Sequence, residues 1–149
     1  MIIIAGASMT NLNTCSNEKL TFKYCDKWVL EDIPLENNPD CIATLSYGDG
    51  SLLNVIAFPS ELQSLDIFKE VVEASLRDDG AEIVSSEIAN VNKKPSIQTH
   101  SKIKTPEIDF QMFSVIFLEE GFLYIFELRA VSDIVHEFMD IVKTFEILE

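Results

Sequence analysis

Glycine, histidine and positive charge are all scarce in this chain. Five glycines among 149 residues, only Gly48 and Gly50 near one another, leave no glycine-rich loop to cradle a phosphate. His100 and His136 are the only histidines, and with three scattered cysteines they do not compose a zinc site. Cys15, Cys25 and Cys41 match no CxxC spacing, and an odd count makes a poor disulfide framework. Reduced, partly buried thiols in a cytoplasmic protein are the expectation. Eleven Lys and Arg against 25 Asp and Glu give a net charge of −14. Such a surface repels phosphate backbones and anionic membranes, which excludes nucleic acid as a partner. A charged protein partner is expected to be basic. No cofactor and no metal is expected.

Long apolar runs are missing as well. The opening "MIIIAGAS" falls far short of the roughly 20 apolar residues that cross a bilayer. No cation precedes Lys19, so it lacks the basic segment of a secretion signal. Residues 1–17 are expected to form a loose or edge-strand extension ahead of one domain over 18–149. Export is the alternative, should a leader upstream of Met1 have been lost.

What the chain does have is periodicity. In "KLTFKY", Leu20, Phe22 and Tyr24 alternate with Thr21 and Lys23, which is strand period, and "WVLEDI" continues after a turn at "CDK". "CIATLSY" and "SLLNVIAF" flank Asp49-Gly50, a hairpin signal. A second hairpin, "FSVIFLEEGFLYIFEL", is apolar on both faces and is therefore expected at the centre of a covered sheet. "EIVSSEIANV" and "PSIQTHSKIK" are less apolar and are expected nearer an edge.

Two segments carry helical spacing. In "SLDIFKEVVEASLRDDG", Ser64 is placed to cap, Gly80 to terminate, and Ile67, Phe68, Val71, Val72 and Leu76 to form the buried stripe. In "SDIVHEFMDIVKTFEI", Ser132 is the expected cap and Ile134, Val135, Phe138, Ile141, Val142 and Phe145 the stripe. Burying those six contributes on the order of 10 kcal/mol before entropy. The resulting fold class is α+β: three layers, helix–sheet–helix, with a mainly antiparallel central sheet.

In that order, "LTFKYCDKW", a hairpin, a helix ending "RDDG", "VNKKPSIQTHSKIK", "GFLYIFELRA" and "FMDIVKTFEI" resemble the PsbP-like superfamily. That group takes in the photosystem II extrinsic subunit, a nuclear-import factor that releases nucleotide from Ran, and DcrB-like domains. The resemblance spans about residues 18–147. The spacing up to Trp28 is kept, while Cys25 stands where the family has proline and Lys27 where it has glycine. It implies a non-enzymatic protein that docks on a larger partner, and no metal-binding or GTPase-contacting residue carries over.

Candidate chemistry is thin. Cys25 with His100 as base would be the one thiol-enzyme pairing, since a thiolate needs an activating neighbour, but no nucleophile signature surrounds it. The oxygen-rich stretches "ENNPD", "YGDGS" and "RDDG" lack calcium-loop spacing and read as turns. Glu127 and Arg129 lie two apart in an apolar strand, hence on one face. They are expected to pair, or to form the polar floor of a groove between sheet and helix. The leading reading is a small acidic docking module for another, basic protein, with homodimerisation as a further option. The thiol enzyme is the alternative.

Overall fold

Alternation decides the first strand pair. The computed structural model describes residues 12–33, 39–62, 64–104, 106–107 and 109–148. The apolar start "MIIIAGAS" and most of the loop "PLENNPD" lie outside them. Strand β2 (Leu20–Cys25) buries Leu20, Phe22 and Tyr24, as its period-2 pattern requires. It pairs antiparallel with β1 (Leu12–Ser16) along all five residues of that strand. The described part of the expected extension is thus an edge strand.

After a turn at Asp26-Lys27 follow β3 (Trp28–Leu30), β4 (Cys41–Tyr47) and β5 (Leu52–Pro59). Helix α1 (Leu65–Asp78) leads to the long strands β6 (Glu82–Val91), β7 (Lys94–Lys104), β8 (Asp109–Glu119) and β9 (Phe122–Ala130). Helix α2 (Val135–Val142) and the two-residue β10 (Glu146–Ile147) close the chain. Seven strands pair antiparallel in the order β3-β4-β5-β9-β8-β7-β6. The doubly apolar β8–β9 hairpin is central and β6 an edge, as their composition foretold. Its turn puts Glu120 and Gly121 at φ 48° and 81°, the doubly left-handed geometry that matches strand twist.

The fold class is α+β and mainly antiparallel, but one sheet between two helices is not the whole arrangement. β1, β2 and β10 make a second, three-stranded sheet. The final helix was expected to run to "FEI". It stops at Val142, and Glu146 and Ile147 pair instead with Thr21 and Leu20.

The two faces of the large sheet serve different clusters. Ile56, Ile125, Ile116, Ile97 and Ile88 stand in register across five strands. Leu65, Phe68 and Val72 of α1 pack against Ile97, Ile116 and Leu123. Contrary to the sequence reading, Ile67 and Val71 are 59% and 53% exposed, and no residue of α1 is fully buried. The other cluster joins Phe22 of β2 to Phe117, Phe126 and the α2 residues Phe138, Ile141 and Val142. Phe145 sits 5.1 Å from the rings of both Phe117 and Phe126.

The caps also differ from expectation. Ser64 occupies the N-cap of α1 but makes no side-chain cap bond. Ser132 is not a cap, because Ile134 holds that position in α2 and the Ser132 hydroxyl donates to Asp49. Gly80 does end α1 at φ 83°, with Gly80 N–H on the Arg77 carbonyl and Ala81 N–H on that of Leu76. Among the described residues, no helix is long and apolar enough to cross a membrane.

Candidate functional site

The β2–β3 corner and α2 enclose one of several cavities among the described residues. A cavity of about 340 Å³ is lined by Lys23, Tyr24, Cys25, Lys27 and Trp28 from the corner, by Leu12 from β1, and by Glu137, Asp140, Ile141 and Thr144. β2 must turn sharply at Asp26-Lys27 to enter β3, and this corner brings Trp28 back toward the helix. Trp28 is 2% exposed, edge-on to Tyr47 at 4.9 Å. Its indole Nε1 is buried with no hydrogen-bond partner among the described residues. Burial raises the Tyr24 phenol, and Cys15 and Asp26 add to the shift, so the ring lining this cavity stays neutral.

A second cavity, of about 410 Å³, adjoins the first through Leu12, Lys23 and Thr144. Asn92, Lys94, Lys143 and Glu146 line its far side. The β6–β7 turn reaches this point with Asn92 and Lys93 at φ 50° and 71°, a conformation non-glycine residues rarely take. The Asn92 amide donates to the Lys143 carbonyl and ties that turn to the end of α2.

The residues singled out from the sequence fare unequally. Cys25 lines the Trp28 cavity, whereas His100 lines a cavity of about 220 Å³ beside Phe113 and Val135. His100 stacks on Phe113 at 4.3 Å, and its Nε2 donates to Gln111 Oε1. Cys25 and His100 thus line different cavities. Glu127 is half-buried and Arg129 exposed, and neither lines these cavities. Neither is without an interaction partner. In register, Glu127 stands between Asn54 and Ser114, within a polar row two residues along from the isoleucines. Among the described residues, no three His, Cys, Asp or Glu side chains are grouped to hold a metal ion.

Lys23, Lys94, Lys143 and Thr144 were not foreseen as site residues. The pair Lys23 and Lys27 just ahead of Trp28 in "KYCDKW" was the one local signal. The other lysines arrive from separate elements.

No family model matches the chain, and no curated protein matches it in sequence. Several solved structures match it in shape. The cyanobacterial PsbP (CyanoP) of Synechocystis sp. PCC 6803 is 14% identical, with a TM-score of 0.69 over 95% of each chain. LpqN of Mycobacterium tuberculosis, involved in cell envelope biogenesis, is 12% identical, with a TM-score of 0.62 over 98% of this chain and 97% of its own. A protein of Bacteroides thetaiotaomicron is 9% identical, with a TM-score of 0.61 over 87% of this chain and 45% of its own. Identities this low speak to architecture, and on that level the result agrees with the ordered motifs of the sequence: the chain has a PsbP-like fold.

Proposed function

We propose that the protein is a non-catalytic binding and docking module whose recognition site is the cavity between the β2–β3 corner and α2. The observation that carries this is Trp28: its side chain lines a cavity large enough for a ligand, while its buried indole N–H has no acceptor among the described residues. The separation of Cys25 from His100 disfavours the thiol-enzyme alternative. The partner reading stays with a protein, basic where it meets the acidic surface, since −14 favours cations at long range. Pairing of two copies along the edge strand β6 is the homodimer reading.

One domain over 18–149 remains the organisation we favour. The free thiols of Cys15, Cys25 and Cys41 support a cytoplasmic setting. The envelope role of LpqN supports the exported alternative. Glu127 and Arg129 are kept as a polar groove floor on the strength of the Asn54–Glu127–Ser114 row. An Arg129→Met variant with unchanged stability and binding removes that role.

The site is tested by mapping fragment binding on the isotopically labelled chain. Amide shift changes are expected over Lys23–Trp28 and Glu137–Thr144. Changes confined to α1 and β6 overturn the assignment.

A further inference from the structure

We propose that the two adjoining cavities bind a small amphiphilic anion, with its acidic head on Lys23, Lys94 and Lys143 and its apolar body along Leu12 toward Ile141 and Trp28. This rests on the reading of the Trp28 cavity as the recognition site and names the chemistry of its ligand.

The argument begins from charge. With 25 acids and 11 cations, each cation in this chain has an excess of carboxylates to pair with. On α1 they do pair: Glu73 accepts Lys69 at 2.6 Å and Arg77 at 3.9 Å. Lys23, Lys27, Lys94 and Lys143 all line the two cavities, and, like Lys19, Lys102 and Lys104 elsewhere, none of them is in an ion pair among the described residues. They come from β2, the β2–β3 turn, β7 and the end of α2, so no single local pattern gathers them.

Opposing carboxylates are present and unevenly placed. Glu137 and Asp140 face Lys23 and Lys27 in the first cavity, which leaves it balanced. In the second, Lys94 and Lys143 meet Glu146 alone, with the shared Lys23 at the junction, so that over both cavities four lysines stand against three carboxylates. An acidic head is therefore favoured in the second cavity. Lys143 follows the last turn of α2, where the helix dipole already favours a cation, but that account does not extend to Lys23 or Lys94. The Asn92–Lys143 bond holds a left-handed turn that sets Lys94 beside Lys143. The first cavity then offers Leu12, Ile141 and the Trp28 side chain for an apolar body. The volumes, about 340 and 410 Å³, fall in the usual range of small-ligand sites.

Trp28 is the chain's sole tryptophan, so its emission reports this site and no other. The full-length protein is titrated with octanoate, octanol and octylamine below their micellar limits, and with inorganic phosphate as competitor. Octanoate is expected to change Trp28 emission saturably, with octanol and octylamine weaker by about tenfold, the weight of a charge-assisted contact. Lys23→Gln and Lys143→Gln should each weaken octanoate by about fivefold or more, while Lys69→Gln does not. Displacement by phosphate assigns the head position to phosphate as well as carboxylate. Failure to displace assigns it to carboxylate, and both results keep the anion site. Equal binding of the three amphiphiles overturns the anion while leaving the cavity as the recognition site. No emission change with any of them, or lysine variants that bind like the wild type while folded by circular dichroism, also overturns the proposal. Failure of the site itself is read separately, from fragments that miss the cavity.

Discussion

Thr144 Oγ1 accepts the backbone N–H of Lys23 at 2.7 Å and donates to the Ile141 carbonyl at 2.7 Å, clipping the end of α2 to β2. This clip stands where the two cavities meet, so stability and site geometry share one hydroxyl. Thr144→Val is expected to cost about 1 kcal/mol, as one net hydrogen bond does, read from the urea midpoint at unchanged slope. Thr144→Ser keeps the bond and should stay within about 0.5 kcal/mol of wild type.

The second prediction concerns α1, whose apolar residues divide between contact and solvent. Phe68 packs on the isoleucine face, while Ile67 and Val71 are more than half exposed. Phe68→Ala is expected to destabilise by about 2 kcal/mol, less than a fully buried phenylalanine loses. Ile67→Ala and Val71→Ala should fall within about 0.5 kcal/mol, near the surface norm. A loss at Ile67 equal to that at Phe68 would show that the outer face of α1 is covered in solution.

These contrasts mark what the sequence could and could not reveal. Period-2 alternation placed Leu20, Phe22 and Tyr24 in the core, and helical spacing placed Phe138, Ile141 and Val142 there, because both signals are local. Periodicity gave the direction of the α1 stripe but not its width, which depends on how far the sheet reaches beneath it. β10 was missed because Glu146 and Ile147 take their structure from Thr21 and Leu20, at the other end of the chain. Ser132 looked like a cap until Asp49, from a distant hairpin, engaged its hydroxyl. Trp28 was legible as a fold marker. Its cavity was not, because Glu137, Asp140 and Thr144 reach it only through the tertiary fold.

Thiol chemistry supplies a third test. Burial pushes the Cys15 thiol up, Cys41 is buried, and Cys25 shares no cavity wall with His100. Alkylation at pH 7 is expected to modify none of the three faster than a free thiol peptide, with Cys41 slowest. One cysteine reacting many times faster would restore the enzyme alternative.

The pH dependence of stability should be set from both sides. Hydrogen bonds from Lys69 and Ser86 hold the Glu73 carboxyl below its ordinary value. At Asp49, desolvation pushes upward, but bonds from Ser132 and Ser51 outweigh it and the net shift is down. A carboxyl lowered in the folded state adds stability above its unfolded value, near 4 by ordinary carboxylate behaviour, and loses it as pH falls through the folded one. Burial instead raises Cys15, Tyr24 and Tyr124, with Glu119 and Glu120 adding to the last. An acid raised by folding favours the native state below its unfolded value and penalises it once pH climbs past that value, about 8.5 for a thiol and 10 for a phenol. Urea midpoints should therefore hold level near neutrality, fall below about pH 4 and fall again above about pH 9. Glu73→Gln should shrink the acid limb, and Cys15→Ser the onset of the alkaline one. If neither variant alters its limb, the shifts at these two residues are not what shapes the profile.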